Sequence, residues 1–398
     1  MLIRLRLPVL AAVAATLLPL TACSADGPHP VFAEPLAGQP RAAAQVTRDE
    51  GSVSFTQTMT YGSERGDVVQ TTTGRLDFTN KRGTAQRSWR VPKGTPARVK
   101  DVLLGPAPLH GPARIEAGLA VDAQYVHYRP GTARYWLRYG GNPGDPLDGA
   151  DEILSLRGRA AAIGGTLLEV TGGARATAQR HTPEGGRSYR TEAALSDAWH
   201  LFPAGVRAEM TQAWPASDAG TTPVRMTLTV DARGRITGAD ADLSALVGRK
   251  EEAFSGLTGL RVRLALTGHG FSEPAMPGPS ETVLNPAEDV VSLHSTGVAP
   301  GGCVDFDAGA HMTGLVVRVD CEHPHDARVY AREPIGNLAY APEADSDDMA
   351  SDRCEQAYLA APDRWTDDAV DDGLWALYAG EEDWGLPGAS LTCYVLSR

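Results

Sequence analysis

The sequence predicts an α+β protein in two parts. The first is a curled antiparallel sheet with helices, and the second is a small disulfide-stapled α+β domain at the C-terminal end. Three observations point there. Apolar residues alternate with threonine and serine over several segments between Gly51 and Thr267. Four of the five cysteines fall after residue 300. Charge is divided, with 20 acidic against 6 basic residues from Gly301 onward and 29 against 31 before it. At 398 residues the chain exceeds one ordinary core, and a hydrophobic content of 42% excludes general disorder.

Arg4 and Arg6 precede an apolar run, Leu7 to Leu20, that is too short to span a bilayer comfortably. The run ends in Leu20-Thr21-Ala22-Cys23, a tetrad that resembles the bacterial lipobox. That resemblance implies a lipoprotein signal peptide over residues 1–23 and lipidation of Cys23. The partner it implies is the cell membrane, held through an N-terminal lipid anchor at the extracytoplasmic face. Two acyl chains hold a protein there stably where one does not. Residues 24–48, rich in Pro, Ala and Gly, read as a flexible tether.

With Cys23 set aside, Cys303, Cys321, Cys354 and Cys393 remain, an even number in an oxidising compartment. Of the three possible pairings, Cys303–Cys321 with Cys354–Cys393 is expected, because each bond then closes a local loop. A four-cysteine zinc site is the competing reading, and no C-x-x-C spacing supports it.

Period-two segments begin after Gly51. Val53, Phe55, Met59 and Tyr61 alternate with Ser54, Thr56, Thr58 and Thr60, as a strand with one buried face requires. A second such segment runs from Asp67 to Phe78, after a turn at Gly62–Gly66. Tyr125–Tyr128 and Tyr135–Tyr139 bracket Pro130-Gly131, a hairpin turn. The spacing of Ile153, Leu154, Leu156 and Ile163 predicts a short helix over 151–163, and Thr166–Thr171 reads as strand. Val224, Met226, Leu228 and Val230 form one late apolar face, and Leu260, Val262, Leu264 and Leu266 form another. Between them, Ala232-Arg233-Gly234-Arg235 makes a turn. These strands belong to an antiparallel sheet curled around a helix, a packed core or a ligand.

The lipobox, the Thr-rich strands and Pro223-Val224-Arg225-Met226-Thr227-Leu228-Thr229-Val230-Asp231-Ala232-Arg233-Gly234-Arg235-Ile236 together resemble the LolA-like half-barrel of actinobacterial lipoproteins of the LppX/LprG type. Thr282-Val283-Leu284-Asn285-Pro286-Ala287-Glu288-Asp289-Val290-Val291 resembles their closing segment. The likeness spans about Val46 to Leu293, with the half-barrel domain placed at 49–271. It implies a concave face that accommodates acyl chains or another hydrophobe. Candidate lining residues are Phe55, Tyr61, Tyr125, Trp136, Val224, Met226, Leu228, Val262 and Leu264. The alternative is an apolar face that packs only on its own helices. Residues 272–300, with five prolines, read as a linker holding one short helix at 286–293.

The last part, 301–398, opens with Gly301-Gly302-Cys303 and continues through Val319-Asp320-Cys321-Glu322-His323-Pro324-His325-Asp326-Ala327-Arg328-Val329-Tyr330, then Cys354 and Cys393. This series resembles the septum-formation domain of actinobacterial envelope proteins, whose V-x-C-x-x-P-H-x-x-x-V-[YF] core it matches. The family name associates such domains with cell division and supplies no reaction. Pro324, His325 and Asp326 mark the turn between two strands, 316–321 and 329–331, and a helix is expected over 351–359.

The remaining chemistry is sparse. His323 and His325 share a face but lack further ligands, and the acidic stretch Asp345–Asp352 lacks the glycine and distal Glu of a calcium loop. It reads as a solvated loop. No nucleophile elbow, zincin, phosphate-loop or dinucleotide motif occurs, so no enzyme activity, metal or cofactor is expected. The acidic C-terminal part disfavours nucleic acid. The expected function is a lipid-anchored envelope protein that binds or carries a lipid-like ligand and uses its C-terminal domain for an envelope or division partner. The alternative is a non-catalytic envelope scaffold without lipid.

Overall fold

The computed structural model describes residues 28–104, 116–131, 133–140, 153, 156–159, 161–202, 206, 207, 210, 221–247, 256–270, 272–293, 298–306, 315–335, 338–340, 343–367, 369, 373–381, 384, 385 and 388–397. The expected signal peptide 1–23 and Cys23 lie outside the described residues. Among those described, no helix is long and apolar enough to cross a membrane.

Two sheets organise the chain. The larger comprises β1 (Ser52–Ser63), β2 (Val68–Asp77), β3 (Arg82–Arg90), β4 (Glu116–Val121), β5 (Tyr125–Pro130), β6 (Tyr135–Gly140), β7 (Arg175–His181), β8 (Arg187–Ala194), β9 (Pro223–Val230), β10 (Ile236–Asp242), β11 (Leu257–Thr267) and β12 (Thr282–Leu284). Its order is β12-β6-β5-β4-β3-β2-β1-β11-β10-β9-β8-β7. This is two meanders, β1–β6 and β7–β11, joined where Phe55 faces Leu266 and Met59 faces Val262. Neighbours are antiparallel except β12, which runs parallel to β6. The edge strands β7 and β12 do not pair with each other, so the sheet curls without closing.

Alternation sets which side is buried. Val53, Phe55, Gln57, Met59 and Tyr61 of β1 turn inward, while Thr56, Thr58 and Thr60 turn out. Opposite Phe55 stands Gly74, where a Cβ would lie 2.7 Å from the Phe55 ring, so the aromatic occupies the space a side chain would need. The β9–β10 turn forms where the sequence places it. The Asp231 carboxylate accepts the backbone N–H groups of Arg233 and Arg235, each at 3.0 Å, and takes two bonds from the Arg235 guanidinium at 2.9 and 2.7 Å. Gly234 supplies the left-handed residue at φ +76°.

Short helical pieces cover the inner face. Residues 24–48 were expected to be a tether, but Pro30–Ala33 and Leu36–Gly38 form 3-10 turns and Gln39–Asp49 a helix. Ala43, Ala44 and Thr47 of that helix are buried. The reason is size: small side chains let the helix approach the sheet closely, and Thr47 Oγ1 accepts the Ile236 N–H at 2.8 Å. Leu167–Thr171, expected as strand, is a helical turn whose entry is held by an inward-facing amide. Gln57 donates to the Gly165 carbonyl at 2.7 Å and accepts the Leu167 N–H at 2.8 Å. Of the helix expected over 151–163, Arg157 and Ile163 instead form a bridge. Leu154 lies outside the described residues.

The smaller sheet comprises β13 (Val290–Ser292), β14 (Cys303–Asp305), β15 (Leu315–Val319), β16 (Ala327–Pro334), β17 (Trp375–Leu377) and β18 (Ser390–Leu396), ordered β13-β15-β14-β16-β18-β17. The Glu343–Ala360 helix packs against it, eight residues longer at its start than expected. It absorbs the acidic stretch read as a loop, since carboxylates in the first turns complement the positive end of a helix. Both expected disulfides are present: Cys303–Cys321 and Cys354–Cys393, with Cα separations of 5.2 and 5.4 Å.

The expected 272–300 linker is only partly one. Between Thr282 and Ser292 it contributes β12 to the larger sheet, turns through Pro286–Asp289 and contributes β13 to the smaller. The Asn285 side chain caps that turn by accepting the Ala287 N–H. Val290 and Val317 of the smaller sheet join the larger sheet's core, and Tyr135 donates to Asp305 Oδ2 at 2.8 Å across the junction.

Candidate ligand-binding surfaces

Seven of the nine candidate lining residues meet on the inner face. Phe55, Tyr61, Val224, Met226, Leu228, Val262 and Leu264 belong to one buried core. Register explains their convergence: Leu228 faces Ala239 on one side and Tyr189 on the other, and Val262 lies between Met59 and Ala241. Tyr61, Leu228 and Val262 retain 0% exposure, so their contacts are with protein. Burial pushes the Tyr61 hydroxyl far up from its ordinary pKa, and the hydroxyl donates to Met59 Sδ at 3.0 Å.

Tyr125 and Trp136 lie on the opposite face. Val126 and Tyr128 of β5, and Tyr135, Leu137 and Tyr139 of β6, take the inward positions, which puts their neighbours outside. Trp136 donates its indole N–H to Glu281 at 2.8 Å, with the Arg129 guanidinium 4.8 Å from its ring centroid. Those bonds, from Trp136 and from the Gly278 N–H, hold the Glu281 carboxyl below its usual range. Tyr125 lies beneath Arg138, 5.1 Å away. Aromatic identity selected both residues; the Tyr135-x-Leu137-x-Tyr139 alternation would have chosen the other face. Sequence reasoning missed Tyr189, whose hydroxyl donates to Gln39 at 2.8 Å, and the inward amide of Gln57.

A second surface lies where the two sheets meet. The turn after β15 is pinned by Cys303–Cys321, and Asp320 accepts the Glu322 N–H at 3.0 Å. Asp326 closes the turn, accepting the Phe306 N–H at 2.8 Å while its own N–H bonds to the Val304 carbonyl at 3.0 Å. Pro324 and His325 line a cleft of about 720 Å³ that extends from this turn to Tyr135 and Leu284 of the larger sheet. His325 and Ser397 are among its lining residues, but His325 Nε2 and Ser397 Oγ are themselves shut off from solvent and have no hydrogen-bond partner among the described residues.

His323 and His325 do not assemble with further ligands: among the described residues, no group of three or more His, Cys, Asp or Glu side chains is placed to hold a metal ion. The four C-terminal cysteines are spent in disulfides.

No known protein family matches the sequence, and no curated protein matches it. Among solved structures, the chain is similar to LprF from Mycobacterium bovis, at 11% identity over 62% of this chain and 98% of that one, with a TM-score of 0.30. It is also similar to the lipoprotein LppX from Mycobacterium tuberculosis, at 10% identity over 62% and 98% of the two chains, with a TM-score of 0.28. A lipoprotein-sorting protein domain from Vibrio parahaemolyticus aligns at 7% identity over 57% and 92%, with a TM-score of 0.20.

Proposed function

We propose that this chain is an extracytoplasmic envelope protein, lipid-anchored at Cys23, that holds a hydrophobic, acyl-like ligand against the inner face of its larger sheet. Its acidic, disulfide-stapled domain binds an envelope partner. The carrying observation is a one-sided sheet of twelve strands that does not close and whose continuous apolar face is covered by short helical pieces. The Gln39–Asp49 helix has 11 residues and the Leu167–Thr171 turn has 5. Covers this short can shift aside more readily than a second sheet. Each methylene of an entering acyl chain contributes about 0.8 kcal/mol on burial, which offsets the contacts a displaced helix loses.

Mass spectrometry of lipid extracted from the natively purified protein tests this reading. A stoichiometric acyl-bearing species is expected. Protein that carries no lipid and takes up no fluorescent fatty acid would overturn it. A second reading has its own observation. The inner faces of β9 and β11 are closely packed, with Leu228, Val230 and Val262 at 0% exposure. This favours an envelope or division-associated scaffold whose sheet holds no ligand, and the same extraction separates the two.

A further inference from the structure

We propose that one end of the larger sheet, the end that carries the β9–β10 turn, docks on the phospholipid headgroup surface of the membrane. The inference rests on the anchor at Cys23 proposed above and adds an orientation to it.

The two ends of the sheet differ. Antiparallel register brings the turns 78–81, 122–124, 182–186 and 231–235 to the first end. One device fixes three of these turns. Asp77 accepts the N–H groups of Thr79 and Asn80, Asp122 those of Gln124 and Tyr125, and Asp231 those of Arg233 and Arg235. The opposite end carries the turns 64–67 and 131–134 together with the long connections 91–115, 195–222 and 243–256.

The path of the chain before α-helical residue Gln39 decides which end meets the membrane. The 3-10 turn Pro30–Ala33 lies against the β9–β10 turn: a Cβ on Gly234 would meet His29 and, at 3.0 Å, Val31. The Arg187 guanidinium, at the start of β8, sits 4.7 Å from the Phe32 ring centroid. Val31 and Phe32 are buried, which fastens this point of entry. Pro28 is only five positions after Cys23, a reach of at most about 18 Å for an extended chain. The opposite end lies about 25–40 Å further along the strands, given eight residues in β9 and twelve in β1 at about 3.3 Å each. An acylated Cys23 therefore holds the β9–β10 end near the headgroups, and the opposite end reaches them only if the sheet lies on its side. Charges within the four turns balance, with Lys81, Arg233 and Arg235 against Asp122, Glu184 and Asp231, so the tether rather than lipid charge sets the orientation. The acidic part after Gly301 is repelled by an anionic leaflet, which opposes any tilt that lowers it.

Fluorescence quenching on the lipidated chain, in phosphatidylcholine vesicles carrying a headgroup nitroxide, tests the proposal. Arg65, Lys93, Glu184 and Arg233 are all exposed, the first two at the opposite end and the last two at the docking end. A fluorophore on Arg233→Cys should be quenched about three-fold or more relative to one on Arg65→Cys. Glu184→Cys against Lys93→Cys should give the same order, so a misfolded variant in one pair leaves the other to decide. Inserting about twenty Gly and Ser residues between Asp26 and Gly27 lengthens the reach to about 25–30 Å and should bring both ratios toward one. Equal quenching at the two ends, or stronger quenching at positions 65 and 93, would overturn the orientation and leave the anchor standing. Lipid-treated chain that does not float with the vesicles would overturn the anchor and this inference with it.

Discussion

The two sheets solve the same problem differently. The larger buries one face in a single core that runs from Val31 to Leu266 and takes in Val290 and Val317, and among the described residues it contains no disulfide. The smaller sheet is covered on both faces, and each covering is modest. Tyr330, Ile335, Cys354, Trp384 and Leu391 gather with the long helix, while Val304, Phe306, Val316, Val329 and Tyr394 gather separately. Divided in this way, neither cluster grows large, and each disulfide ties a strand of this sheet to a neighbouring turn or helix. The difference teaches that covalent staples stand in for core volume where apolar area is split between two faces.

Replacing all four disulfide cysteines with serine should break the comparison most sharply. At about 2–4 kcal/mol per bond, the loss should total ~4–8 kcal/mol and fall on the smaller sheet. Hydrogen exchange should show protection lost in β14, β16 and β18 while β1 and β11 keep theirs. Equal loss in both sheets would mean that they fold as one unit.

The counterpart in the larger sheet is Leu228→Ala. The side chain is fully buried, and the substitution should cost about 2–5 kcal/mol by chemical denaturation, with no dependence on reductant. Tyr135→Phe probes the junction. It removes the hydroxyl that reaches Asp305 and should cost about 1–3 kcal/mol, with exchange rising first around Asp305 and β12.

A smaller effect should appear at the β9–β10 turn. Burial alone would raise the Asp231 carboxyl, but the Arg235 side-chain bond and the backbone N–H groups outweigh it and hold the pKa below the ordinary 3.8. A carboxyl lowered by folding stabilises the protein above its unfolded value and loses that contribution as pH falls through the folded one. Asp231→Asn should therefore cost about 0.5–1.5 kcal/mol at neutral pH, a range reduced for solvent screening, and the gap should close in acid melts below about pH 4.

Much of this was legible in the chain because it depended on local pattern. Period-two alternation located β1, β9 and β11, the Asp231–Ile236 segment announced its hairpin, and cysteine spacing gave both disulfides. Misreadings occurred where tertiary packing decided. Nothing in Gln39–Asp49 resembles an amphipathic stripe of large residues, because Ala43, Ala44 and Thr47 bury by being small. Leu167–Thr171 carries strand-like residues, yet Gln57, 110 positions from Leu167, fixes it as a helical turn. The cleft lay beyond sequence reasoning for the same reason. Its walls bring Tyr135 and β12 of the larger sheet against the turn after β15 and Ser397 of the smaller, residues far apart in the chain.

The claim that the larger sheet holds a hydrophobe on its inner face has a direct test in methyl NMR with a nitroxide-labelled stearic acid. Paramagnetic broadening should be strongest at the methyls of Val224, Leu228, Val262 and Leu264 and weak at Leu391 and Val395 of the smaller sheet. Sharp inner-face methyls at saturating fatty acid, or broadening confined to the smaller sheet, would contradict it.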